Sequence, residues 1–184
     1  MAKEIKHDDQ TTARPVLEML TVANEYCLFF EKADAYQADE ILQYFRKIAP
    51  LLYLKASTLP TIHVADESFA EKFVTEEQWE QIFKTLREKF GDDDVYYILD
   101  QNQDSQEASL SDNMADIYQE MKDFIMLYQK GTLMARENAV YQVYQLMITR
   151  WGPALIDALK SCHVKVFKDL TDNHGFDQDI NWLV

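Results

Sequence analysis

Apolar residues recur three and four apart along most of the chain, the period of helices that each bury one stripe. The first such stretch starts at Pro15, a residue tolerated in a first helical turn, and aligns Val16, Leu20, Ala23, Cys27 and Phe30. A second covers 39–57, with Ile41, Leu42, Phe45, Ile48 and Leu52 in line. Pro50 lies within it and predicts a kink or a break, because proline removes a backbone donor and crowds the preceding turn. Residues 59–74 keep no sustained period and read as a loop with room for one short helical turn. Thr75 and Gln78 then form a capping box ahead of the stripe Trp79, Ile82, Phe83, Leu86 and Phe90, and Gly91 suits the stop.

Beyond Gly91 the chain is polar apart from VYYIL at 95–99, a strand or a packed loop; one such run cannot make a sheet. Three more helical patterns follow at about 110–130, 133–151 and 153–169. The expected fold class is all-α: a single domain of about six helices, mostly up-and-down and antiparallel, spanning 15–170. It lies between a polar leader at 1–14 and a tail at 171–184, where Trp182 and Leu183 either pack or are disordered.

Composition supports that class. The 184 residues suffice for one core, and 47% apolar content with only 4 Gly and 4 Pro argues against disorder and against a turn-rich β fold. With 32 acids against 18 bases, the net charge of -14 repels a phosphate backbone. The weak basic cluster of Lys160, Lys165 and Lys168 is diluted by Asp157, Asp169 and Asp172, so nucleic acid is not an expected partner. No apolar run approaches the ~20 residues of a membrane span, and the start lacks the apolar core of a signal peptide. No membrane association and a cytoplasmic location are the expectation. Cys27 and Cys162 sit among apolar neighbours without metal spacing and read as buried, reduced thiols.

The fourth helix carries the candidate chemistry. Asp112, Asp116, Glu120 and Asp123 fall within roughly 80 degrees of arc, opposite Leu110, Met114, Ile117, Met121, Phe124 and Tyr128. The plainer reading is that the acids form the wet face of a helix whose apolar stripe packs inward, with Ser109 and Asp112 capping its start. Residues 91–123 nevertheless hold ten acids against the single base Lys122, a field that draws cations or a basic partner. DQNQDS at 100–105 reproduces the opening of a calcium loop, but Ser105 and Ser111 stand where the template needs Gly and a bidentate Glu. The fifth helix supplies a protein partner for the acids. A two-residue link makes helices four and five antiparallel, which sets Arg150 beside position 113, within reach of Asp112 or Asp116.

SLSDNMADIY at 109–118, QEMK after it, RWGPALIDALKSCH at 150–163 and LLYLKASTLP at 51–60 together resemble the bacterial domain-of-unknown-function family 5063. The resemblance implies an all-helical domain without an assigned activity. The family pattern has a second Asp where this chain has Asn113, and His on either side of Trp-Gly where it has Arg150 and Ala154. A metal held by such imidazoles is lost here, whereas a cationic partner for the Asp pair is kept by Arg150. A structural polar clasp is therefore favoured over a metal centre.

No other constellation completes itself. The single E-x-x-H pair, Glu4 and His7, lacks the second pair of a di-metal bundle, and His63, His163 and His174 are scattered. Phosphate-binding glycine loops and nucleophile elbows are absent from the sequence. The Tyr residues on the predicted helices fill the core with hydroxyls at its edge, or else line a groove for a partner. Two functions stay open. One is a non-enzymatic domain binding another protein through an apolar groove or the acidic surface, with no cofactor. The other is a divalent-cation-dependent enzyme or metal-binding protein built on the acidic face. The candidate surface comprises Asp112, Asp116, Tyr118, Glu120, Arg150 and Trp151.

Overall fold

A computed structural model of the chain describes residues 9–64, 71–100 and 102–168. Glu4, His7, His174, Trp182 and Leu183 lie outside these residues, so the readings of the leader's first part and of the tail fall outside them too.

The helical periods become α1 (Arg14–Phe30), α2 (Ala38–Ser57), α3 (Glu76–Phe90), α4 (Leu110–Gln129), α5 (Leu133–Leu146) and α6 (Gly152–Val166). Their starts follow local chemistry. Pro15 sits in the first turn of α1, and Ser109 and Thr132 accept from the backbone N–H groups of Asp112 and Ala135 at the starts of α4 and α5. Thr75 and Gln78 exchange both bonds of the capping box, at 3.3 and 3.1 Å. Gly91, at φ +52°, ends α3 in a conformation that side chains disfavour.

The helices form a bundle around α4, which packs against α1, α3, α5 and α6, while α2 closes the far side against α1 and α6. Met114, Ile117 and Met121 are completely buried, so the apolar stripe of α4 faces the core as its period requires. Tyr26 of α1 is buried beside it and donates to the Met114 carbonyl at 3.0 Å, giving its hydroxyl a partner inside the bundle. Among the described residues no helix is long and apolar enough to cross a membrane.

Four features depart from the sequence expectations. Of the kink or break expected at Pro50, the break does not occur: α2 continues through this exposed proline. Residues 9–13 are part of the domain: Thr11 is buried, and Asp9 pairs with Arg136 of α5 at 2.6 Å. VYYIL does find a strand partner. β1 (Val95–Leu99) pairs antiparallel with β2 (Ser105–Ser109), Tyr97 opposite Glu107. The calcium-like motif falls where that hairpin turns, with Asp100 Oδ1 accepting from the N–H groups of Asn102 and Asp104 at 2.8 and 2.9 Å. The polar sequence SQEAS hid β2, since its strand lies mostly in solvent and needs no apolar alternation.

The fourth departure bears on the candidate site. α5 and α6 are joined without a reversing loop, through a π-helical segment (Met147–Trp151), so this connection is not up-and-down. Trp151 is buried there and donates from its indole N–H to the Val143 carbonyl at 3.0 Å. Gly152 follows where the wide turn closes, and a Cβ at that position would overlap the Met147 carbonyl oxygen. The Trp-Gly pair is thus the anchor and the clearance of one wide turn.

Candidate functional site

The acids of α4 are not one wet face. Asp112 is exposed and Asp116 partly covered, but Glu120 and Asp123 are buried because α3, α5 and residues 72–74 close over that side of the helix. The expectation of a solvated acidic face is corrected there. Burial of ionised carboxylates requires compensating charge and hydrogen bonds, and these come from α3, the π segment and residues 72–74, with Lys72 and Arg150 each shared between two carboxylates.

Arg150, positioned by the π segment, spans two carboxylates one turn apart. Its Nη2 donates to Asp116 Oδ2 at 3.0 Å, and its Nη1 lies 3.2 Å from Glu120 Oε1. The second contact is an ion pair at hydrogen-bonding distance but without hydrogen-bond alignment, since Glu120 Oε1 has no directed donor. Trp79 of α3 donates its indole N–H to the other oxygen of Asp116 at 3.0 Å. Lys72 Nζ bridges Glu120 Oε2 at 2.8 Å and Asp123 Oδ2 at 3.2 Å. Asp123 Oδ1 accepts from the backbone N–H groups of Phe73 and Val74 at 2.7 and 3.0 Å, which pins the segment entering α3 onto α4.

A third buried carboxylate lies at the start of α4. Asp94 is fully buried and accepts from Arg87 at 2.6 Å, from the Ser109 hydroxyl at 2.6 Å and from the Ser111 N–H at 2.7 Å. Asn113, at the position where the family pattern has its second Asp, donates to the Tyr96 hydroxyl and ties the hairpin to α4.

Titration follows the geometry. Partial burial raises the Asp112 carboxyl above its ordinary value, the Asp116 and Asp94 charges add to that, and Arg150 only partly offsets them. The hydrogen bond to Asp116 raises the Arg150 guanidinium, against a smaller pull from burial. Burial pulls Lys72 down, but its hydrogen bond to Glu120 and the charges of Glu120 and Asp123 outweigh this and leave it raised.

Of the six residues singled out by sequence, Asp116, Glu120 and Arg150 meet directly, with Asp112 at their edge. Tyr118 points instead to α1, where its hydroxyl donates to Glu31 at 3.1 Å beside Lys122. Trp151 serves the π segment and touches none of the carboxylates through its N–H. Sequence reasoning missed Lys72 and Trp79. Trp79 carried a signal only as part of an apolar stripe, and Lys72 lies in a stretch with no period to place it.

The chemistry this arrangement supports is neutralisation. Both cations stand on the carboxylate oxygens that an incoming ion would need, and among the described residues no three His, Cys, Asp or Glu side chains are grouped to hold a metal.

The open surface lies elsewhere. A groove of about 470 Å³ runs between β1 and α6, lined by Tyr96, Tyr97 and Leu99 on one wall and Ser161, Val164 and Lys165 on the other. Tyr97, Leu99 and Val164 are 69%, 71% and 60% exposed. Within the described residues β1 pairs with β2 alone.

Comparison with known proteins agrees with this architecture. The crystal structure of protein BF1032 from Bacteroides fragilis is similar over 85% of this chain and 94% of its own, with a TM-score of 0.77 and 30% sequence identity. No curated protein matches. The model of the family described as a domain of unknown function, DUF5063, matches residues 11–168, and the chain belongs to that family.

Proposed function

We propose that the chain is a non-enzymatic helical domain that binds another protein, and that it does so through the groove between β1 and α6. The carrying observation is the exposure of Tyr97, Leu99 and Val164 around a groove beside a strand that has one edge unpaired among the described residues. Natural sheets usually protect an open edge with charge, proline or a covering element, and VYYIL carries none of the first two. An extended segment laid along β1 gains backbone hydrogen bonds there and buries its side chains against Tyr97, Leu99 and Val164. Lys160 and Lys165 flank the groove, with Asp157 opposing them, so the rim favours an acidic segment only modestly.

The acidic face of α4 is the weaker half of the earlier expectation, because its inner carboxylates are engaged by Lys72 and Arg150. The same engagement counts against a divalent-cation-dependent enzyme on that face. A bacterial source is supported by the similarity to the Bacteroides fragilis chain. A cytoplasmic location is supported by two buried free cysteines, Cys27 and Cys162, whose thiols burial pushes up in pKa, that of Cys162 to about 12.

The test is affinity capture from extract of the source cells with the wild-type domain and with Leu99→Asp, both shown to unfold at the same temperature. A protein retained by the wild type and lost with Leu99→Asp supports the groove. Equal retention by both, or none at low salt, overturns it. A rise in unfolding temperature with magnesium, manganese or calcium would favour the cation-dependent reading instead.

A further inference from the structure

Beside the ion network, between α4 and α5, lies a void of about 10 Å³, lined by Lys72, Glu120, Asp123 and Gln142 on its polar side and by Phe124, Val143 and their apolar neighbours on the other. Three buried polar atoms of the lining residues lack a hydrogen-bond partner: Glu120 Oε1, Asp123 Oδ2 and Gln142 Nε2. Glu120 and Asp123 are 3% and 5% exposed, so bulk solvent does not supply what is missing. Each carboxylate oxygen has a cation 3.2 Å away, but neither has an aligned hydrogen.

We infer that this void is a binding site for one water molecule, which donates to Glu120 and Asp123 and accepts from Gln142. Two acceptors and one donor match the bonding capacity of water, and buried waters make about three hydrogen bonds to groups that otherwise have none. The volume is at the lower limit of what one water occupies, about 10 Å³. The donor on the lining separates water from a monovalent cation of similar size. Gln142 presents its amide N–H to the space, which a water oxygen accepts and a cation cannot, and Lys72 already stands within 3.2 Å of the Asp123 oxygen that a cation would need. The site joins α5 to the contact through which Asp123 holds residues 73 and 74, and it does not depend on the groove proposed above.

The test is a high-resolution crystal structure of the full chain, grown in potassium and repeated after a rubidium soak. One water-like peak within hydrogen-bonding distance of all three atoms, without rubidium anomalous signal, is the expected result. An empty void, or a rubidium peak inside it, overturns the inference. In solution, Gln142→Leu removes one of the three hydrogen bonds of the water and leaves it held only by the two oxygens, so the unfolding temperature should fall by about 3 °C. An unchanged or higher temperature would mean that the void is dry, and would also overturn it.

Discussion

Trp79 of α3 donates its indole N–H to Asp116 of α4 at 3.0 Å, on the carboxylate oxygen that Arg150 does not use. One aspartate thereby fixes two neighbouring elements, α3 and the π segment, against the central helix. Truncating it orphans a donor on each side. Asp116→Ala should cost about 2 kcal/mol, whereas Asp116→Asn, which keeps one acceptor oxygen, should cost less. Urea unfolding of the three proteins, with unchanged m-values, measures the difference. Equal stability of Asp116→Ala and the wild type would show that the two donors find water at no cost.

Asp123 predicts a larger effect, because it is buried and accepts from two backbone N–H groups, which cannot swing to another partner as a side-chain donor can. Asp123→Ala should cost about 3 kcal/mol. It should also speed amide exchange of Phe73 and Val74 selectively. Hydrogen exchange read by mass spectrometry or NMR checks the local claim, and uniform acceleration along the chain would contradict it.

Gly152 lies where a wide helical turn leaves no room for a side chain. In an ordinary helix, Gly→Ala stabilises by up to about 1 kcal/mol. Here the added methyl meets the Met147 carbonyl, and the expected sign is reversed, with a loss of about 2 kcal/mol. Near-ultraviolet circular dichroism should change as well, since Trp151 is packed against the same turn. A stabilised Gly152→Ala protein would refute the clash.

The raised carboxyl of Asp112 fixes the sign of a pH effect. An acid with a folded-state pKa above its unfolded value binds its proton more tightly when folded, so stability falls as pH rises through the interval from about 3.8 up to the raised value. Above that interval the charged group is a persistent small cost. Asp112→Asn should therefore raise stability at neutral pH by less than about 1 kcal/mol, given the exposure of the side chain, and match the wild type below pH 3.8. Thermal unfolding across that range decides it, and a variant less stable than the wild type at pH 7 would reverse the assignment.

Much of this was legible in the sequence, for identifiable reasons. The helices were readable because each buries one continuous stripe, and the approach of Arg150 to Asp116 because a two-residue link leaves antiparallel packing as the economical arrangement. What escaped notice depended on contacts distant in the chain. The amphipathic pattern of α4 marks Glu120 and Asp123 as polar, but polar positions are wet only when nothing covers them. Their covers, residues 72–74 and α3, come from a stretch about fifty residues earlier. β2 escaped because one strand of an exposed hairpin need not be apolar, and the π segment because 3.6-residue and wider turns share the same short-range spacing.

That wide turn has a consequence for how the fold tolerates lineage-specific length changes. It acts as a phase buffer: the wide turn takes up one residue more than a regular helix would hold, and so spares the helix beyond it a rotation of about 100 degrees. Deleting one residue between 147 and 151 should restore a regular turn and leave Leu155, Ala158 and Cys162 facing the interior, whereas straightening the segment at full length would rotate them by about 100 degrees. A relative with a regular helix here is therefore expected either to lack one residue in this segment or to carry a re-phased apolar pattern from residue 152 onward.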